Sequence, residues 1–82
     1  MEIKVLKTIG EISLNGTNRS IKVILKDVGG VQYLDVRKYF FTKEGKEQAT
    51  NKGIMVSEEI WLELLPIISD YLTKDDEVEF YD

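Results

Sequence analysis

The chain of 82 residues contains no cysteine and no histidine. Without cysteine there is no disulfide and no thiolate metal site, as is usual in reducing intracellular compartments. Without histidine the chain cannot build a Cys/His zinc centre or a histidine-dependent catalytic triad or dyad. No apolar run reaches the roughly 20 residues that span a bilayer, and the amino terminus lacks the layout of a signal peptide. These absences predict a soluble, cytoplasmic or nucleoid-associated protein with no membrane contact, metal or other cofactor.

Positive charge is also scarce in the last third of the chain. Residues 1–56 carry ten basic and six acidic side chains, a net charge of +4, whereas residues 57–82 carry one lysine and nine acids, a net charge of -8. Such asymmetry indicates a basic binding surface or an acidic tail. We expect one domain over residues 1–74, with a marginal core because of its size, followed by an acidic tail over residues 75–82.

The first two thirds of the sequence predict β-strands. The segments "KTIGEISL" (7–14), "SIKVILK" (20–26), "VQYLDVRKYFF" (31–41) and "IMV" (54–56) have strand character. Asn15 and Gly16 predict a type I′ hairpin turn, and Gly29 and Gly30 predict the next reversal. Residues 42–53 are polar and without periodicity, which predicts a mobile loop or a ragged strand.

One amphipathic helix is predicted after these strands. Ser57 is a candidate N-cap, with Glu58 and Glu59 favourably placed at the helix dipole. Nine of the thirteen residues from Ile60 to Leu72 are apolar, and all of them except Leu62 lie within an arc of roughly 160°, wider than one small sheet covers. We therefore expect a second copy of the chain to cover the helix in a two-fold dimer. Pro66 is expected to kink or split the helix.

The expected dimer contacts are Trp61, Leu64, Leu65, Ile68 and Leu72.

The third strand, the polar segment, the fourth strand and the helix start read "DVRKYFFTKEGKEQATNKGIMVSEEIW". This run resembles the positive cofactor four family, the single-stranded-DNA-binding transcriptional coactivator domain of eukaryotes and of bacterial and viral relatives. The resemblance covers roughly residues 19 to 72, and the order and spacing of the family's elements are retained. Those elements are Asp35, Val36, Arg37, Tyr39, Phe40, Glu44, Gly45, Lys52, Gly53, Ile54, Val56, Ser57 and Trp61.

The resemblance implies an α+β fold, in which a curved four-stranded antiparallel sheet is followed by one C-terminal amphipathic helix that forms the dimer. It implies a non-enzymatic protein that holds single-stranded DNA on the sheet, largely without regard to sequence. By position, Arg37 would contact phosphate, Phe40 would stack on a base, and Lys52 would be the basic residue of the Lys-Gly strand. Arginine and lysine beside flat rings suit such binding, since every base has a π-face. The family's serine- and lysine-rich arm is absent, which favours a minimal bacterial or viral member, the latter in host cytoplasm.

The sequence departs from the family pattern at several positions. Val28 stands where an aromatic residue is common, and Gly29, Val31 and Asn51 stand near usual basic positions. We expect Tyr33 to replace part of the stacking, and we expect part of the charge to be replaced by Lys22, Lys26, Lys43 and Lys46. The full set of predicted nucleic-acid-binding residues is Lys22, Lys26, Tyr33, Arg37, Tyr39, Phe40, Lys43, Lys46 and Lys52.

Plainer interpretations of these residues stay open. Arg37 and Asp35 suit a same-face ion pair, Phe40 alternates with the core residues of its strand, and Lys52 suits a simple loop cation. RNA is an alternative ligand, and a dimeric protein-interaction module without a working groove is the alternative function. A magnesium site at Asp27, Asp35 and Glu44 has no spacing signature behind it. The acidic tail is expected to cover the basic surface or dock a partner protein, or to be a solubilising end.

Overall fold

The protein is an antiparallel four-stranded sheet followed by one helix. The computed structural model describes residues 2–74, so the predicted acidic tail lies outside the described residues. The strands are β1 (Ile3–Leu14), β2 (Arg19–Val28), β3 (Val31–Phe41) and β4 (Glu47–Ser57), and the helix is α1 (Glu58–Leu72). The strand order is β1-β2-β3-β4, so each strand pairs with its neighbour in sequence. The predicted α+β architecture is confirmed.

The strands are longer than the sequence patterns predict. β1 begins four residues before the predicted segment, because its first residues pair with the end of β2 from Ile3 opposite Val28. β4 begins at Glu47, so most of the polar segment 42–53 is strand and only a short loop precedes it. Of the two predicted forms of this segment, the ragged strand is therefore the observed one.

The turns differ in type from the sequence prediction. The predicted type I′ turn at Asn15 and Gly16 is wrong, because a type I′ turn needs two positive φ angles and only Gly16 has one, of 74°. Leu14 and Thr17 close this turn with a 3.2 Å backbone hydrogen bond, and Gly16 occupies the third position, where a type II turn places glycine. The two-residue turn with two positive φ angles is Gly29–Gly30, at 61° and 88°.

Alternation along the strands gives the sheet two different faces. The charged face is defined by Lys22, Ile24, Lys26, Asp35 and Arg37, because Lys22 pairs with Arg37 and Ile24 with Asp35 across β2 and β3. Ser20, Tyr33 and Tyr39 also lie on it. The aliphatic face is defined by Ile21, Val23, Leu25, Leu34 and Val36, all half-buried. One face of the sheet therefore holds buried and half-buried charged groups, and the other carries half-buried aliphatic side chains.

The helix is attached to the sheet mainly at its start. Ser57 caps it as predicted, since its Oγ accepts a hydrogen bond from the Ile60 N–H at 3.4 Å. Trp61 Nε1 donates to the Leu34 carbonyl at 2.9 Å. No residue of α1 is buried, and the helix passes through Pro66 without being split. Ile24, at 7% exposure, is the single buried apolar side chain in the described part of the chain. Between residues 2 and 74 no helix has the length and apolarity to cross a membrane.

The pairing of β3 with β4 is interrupted beside Arg37. Arg37 lies opposite Gly53 and Tyr39 opposite Ala49, so Thr50, Asn51 and Lys52 together face Lys38. A bulge of this kind bends a strand and redirects its side chains. Gly53 lets the strands approach closely here, since a Cβ on it would lie 2.6 Å from the Val36 carbonyl oxygen and 2.7 Å from Arg37 Cα.

Replacing Gly53 with alanine should lower the free energy of unfolding by about 1 to 3 kcal/mol, as overpacking does elsewhere, because the β3 backbone must move away. Urea denaturation measures this change. Gly10→Ala is the matched control, since Gly10 also lies in a strand but a Cβ there meets nothing within 4 Å. An equal cost for both substitutions would contradict the close-approach explanation.

Candidate nucleic-acid interface

A buried carboxylate organises the charged face. The Asp35 side chain is 1% exposed. Lys26 Nζ donates to its Oδ2 at 2.6 Å, and Arg37 Nε donates to its Oδ1 at 3.1 Å. Burial alone would raise the pKa of this carboxyl, but the hydrogen bonds from Lys26 and Arg37 outweigh burial and hold the pKa below its ordinary value. Asp35 is therefore charged in the folded protein and fixes both cations.

Arg37 also connects the charged face to the β4 bulge. Its Nη1 donates to the Thr50 carbonyl at 3.0 Å. The Thr50 hydroxyl donates to the Lys38 carbonyl at 2.8 Å and accepts from the Lys52 N–H at 3.1 Å. The bulge is thus held from both strands, which fixes the backbone at Thr50 and Lys52.

Lys22 forms a second polar cluster on the charged face. Its Nζ donates to Glu47 Oε1, lies 3.9 Å from Glu11 Oε1 and lies 5.3 Å from the centre of the Tyr39 ring. The hydrogen bond to Glu47 raises the pKa of Lys22, against the opposing effect of burial. The charge of Lys22 is therefore matched by carboxylates of its own chain.

A cationic depression lies on the other side of the sheet, at the end that carries the Asn15–Asn18 turn and the 42–46 loop. It has a volume of about 310 Å³ and is lined by Arg19, Lys38, Phe40, Thr50 and Lys52. Arg19 and Phe40 are direct partners across β2 and β3. Within residues 2–74, Arg19, Lys38 and Lys52 take part in no ion pair. Three positive charges without a carboxylate partner in the described part of the chain thus line the depression together with one aromatic ring.

The predicted binding residues are divided between these two faces. The structure brings Lys22, Lys26, Tyr33, Arg37 and Tyr39 together on the charged face. Phe40 and Lys52 line the cationic depression instead. Lys43 and Lys46 are exposed in the loop before β4, at the same end of the sheet as the depression. The ion pair of Arg37 with Asp35, the plainer of the two sequence interpretations, is present.

Sequence reasoning missed Arg19, Lys38 and Thr50. Lys38 could have been found from alternation, because it lies two residues before Phe40 on the same face of β3. Arg19 required the β2–β3 register, which the Gly29–Gly30 turn determines. Thr50 and Lys52 reach the depression through the bulge, which no periodicity in residues 42–53 indicates.

The expected dimer residues show different environments. The Trp61 indole is bonded within its own chain, and Leu64 is half-buried. Leu65, Ile68 and Leu72 are 51%, 46% and 67% exposed. Three of the five expected dimer residues are thus exposed apolar side chains.

The three acids weighed as magnesium ligands do not come together. Asp35 is bound by two cations, and Asp27 Oδ1 accepts the Gly30 N–H at 2.9 Å. Glu44 lies in the loop at the opposite end of β3 from Asp27. Among the described residues no group of three acidic side chains is arranged to hold a metal ion.

Asp35→Asn should lower the free energy of unfolding by roughly 3 kcal/mol at neutral pH, because it leaves two cations around a neutral, buried amide. Since the folded pKa of Asp35 is depressed, the contribution of its charge is fully present above pH about 4, the ordinary aspartate value, and is lost as pH falls through the folded pKa.

Urea denaturation at a series of pH values checks both statements. Asp70→Asn, on the exposed helix, removes the same charge and serves as the control. The acid-dependent loss of stability should be smaller in Asp35→Asn than in wild type; identical pH profiles for the two proteins would contradict this account.

Comparison with known proteins agrees with the resemblance seen in the sequence. The family model described as Transcriptional Coactivator p15 (PC4), the positive cofactor four family, matches residues 14–67, which is well over half of the chain. No curated protein matches the sequence. The family consists of non-enzymatic, DNA-binding coactivators. With its sheet-and-helix architecture and this match, the chain belongs to the transcriptional coactivator p15 (PC4) family.

Proposed function

We propose that the protein binds single-stranded DNA largely without regard to base sequence, and that the cationic depression is the principal contact surface. The observation that carries this proposal is the ring of Phe40 beside the cations Arg19, Lys38 and Lys52, which have no ion-pair partner among residues 2–74. Membership of a DNA-binding family supports it.

The composition of the depression suits unpaired rather than paired nucleic acid. A base can stack on an aromatic ring only where it is free of its duplex partner, and each such contact contributes about 1 to 3 kcal/mol regardless of base type. Cations beside the ring neutralise the phosphates that flank a stacked base. Phe40 would therefore hold a base, while Arg19, Lys38 and Lys52 hold the backbone.

Arg37 lies on the opposite face of the sheet and stabilises the depression through the β4 bulge. Its bond to the Thr50 carbonyl fixes one wall of the depression, and its bond to Asp35 compensates its charge. The proposed contribution of Arg37 is to position the bulge, and a direct contact with phosphate stays a prediction. The proposed contacts of Lys43 and Lys46 extend the same basic end of the sheet.

Fluorescence anisotropy of labelled oligo(dT), titrated at several salt concentrations, tests the proposal. The slope of log K against log salt is about -0.7 for each phosphate neutralised on a single strand. Lys38→Ala/Lys52→Ala should therefore make the slope shallower by about 1.4. Lys4→Ala/Lys7→Ala, on the edge strand β1, is the matched control. At fixed salt, Phe40→Leu should weaken binding about 30-fold, which corresponds to the middle of the range for a lost stacking contact.

Three results would count against the proposal. Equal slopes for the two double variants would remove the depression from the binding surface. Tighter binding of oligo(rU) than of oligo(dT) would make RNA the ligand. No binding at low salt would favour the interaction module, in which the scaffold serves protein contacts alone.

The proposed functional unit is a dimer formed through α1. The exposed fractions of Leu65, Ile68 and Leu72 leave a continuous apolar side on the helix, and a self-complementary patch of this kind generates a two-fold pair. Each dimer would then carry two depressions. Simultaneous contact of both with one DNA strand would raise the overall affinity of the dimer for that strand. The proposed setting is cytoplasmic unpaired DNA during replication, recombination or transcription in a bacterium or virus.

Leu65→Lys should convert the dimer to a monomer, because it places a charge at the centre of the proposed contact. Sedimentation equilibrium measures the mass. Glu63→Lys introduces lysine on the polar side of the same helix and should leave the dimer intact. Wild-type protein that sediments as a monomer at high micromolar concentration would contradict the proposal.

A further inference from the structure

The charged face carries a cation whose partners are exchangeable. Lys22 contacts Glu47 and Glu11, whose side chains are 24% and 49% exposed. The other half-buried lysine of this face, Lys26, contacts Asp35, whose side chain is 1% exposed. A ligand can therefore reach and replace the carboxylates around Lys22, whereas Asp35 is inaccessible.

The surroundings of Lys22 match those of a nucleotide contact. Its Nζ lies 5.3 Å from the centre of the Tyr39 ring, so a cation and an aromatic face are already adjacent. Ser20, the cross-strand partner of Tyr39, lies on the same face. Ser20 is 6% exposed, and its Oγ has no hydrogen-bond partner within residues 2–74. A buried hydroxyl without a partner costs stability, and a ligand that displaced the covering side chains and bonded to it would remove that cost.

We propose that Lys22, Tyr39 and Ser20 form a second phosphate subsite, on the face opposite the cationic depression, and that the Glu47 carboxylate occupies it in the free protein. The inference rests on the proposed function, since the incoming phosphate belongs to the same class of single-stranded ligand. Glu47 acts as an internal competitor, because a single-stranded DNA ligand gains the contact with Lys22 only by displacing this carboxylate.

The position of Glu47 allows that displacement. It is the first residue of β4, directly after the 42–46 loop, and it pairs with Phe41, the last residue of β3. Its side chain can turn to solvent without breaking the interior of the sheet. Because the lost ion pair offsets the gained phosphate contact, Lys22 contributes little to binding in the wild-type protein.

A double-mutant cycle on oligo(dT) binding tests the inference. Glu47→Gln should tighten binding about fivefold at low salt and steepen the salt slope by about 0.7, the value for one additional phosphate. Lys22→Met, which keeps the aliphatic stem over Tyr39, should abolish the whole gain in Glu47→Gln, and it should weaken binding more in Glu47→Gln than in wild type, where the Glu47 carboxylate already neutralises the lysine. Ser20→Ala should reduce the gain in Glu47→Gln only.

Glu44→Gln is the matched control. Glu44 lies in the neighbouring exposed loop, and its substitution removes the same charge. A gain in Glu44→Gln equal to that in Glu47→Gln, or a gain that survives Lys22→Met, would overturn the inference while leaving the proposed function intact. Absence of binding by wild type and by Glu47→Gln would overturn both. Circular dichroism melting of each variant verifies that the comparison is made between folded proteins.

Discussion

The ionised carboxylate of Asp35 is the interaction on which the arrangement of the sheet depends. It joins β2 to β3 through Lys26, and Arg37 extends the same network to the Thr50 carbonyl of β4. An isolated buried charge is very costly, so this carboxylate is tolerated only with both partners in place. The network therefore specifies strand register in a sheet whose apolar core contains little besides Ile24.

Compensation of charge distinguishes the two faces of the sheet more clearly than the number of charges does. Lys22, Lys26 and Arg37 are held by Glu47, Glu11 and Asp35, so the face with many cations has little net positive charge. Arg19, Lys38 and Lys52 have no such partners in the described part of the chain. A chain with a formal charge of -4 can therefore still present a locally positive surface.

Much of the architecture followed from local signals. Alternation in β2 and β3, the Gly29–Gly30 turn and the Ser57 cap are determined by nearby residues, and all appear in the structure. The first turn was mistyped because Asn15 keeps a negative φ within a longer, four-residue connection.

The site was less predictable, because its residues meet through register. Arg19 approaches Phe40 only once β2 and β3 are paired, and Lys52 approaches it only through a bulge that Gly53 permits.

The order of the strands in the sheet also affects how fast the protein folds. Because each strand pairs with the one just before it in the chain, closure proceeds through short loops, which keeps contact order low and folding fast for a sheet. The β1–β2–β3 meander can thus pair in the order of the chain, before α1 packs against β3 and β4.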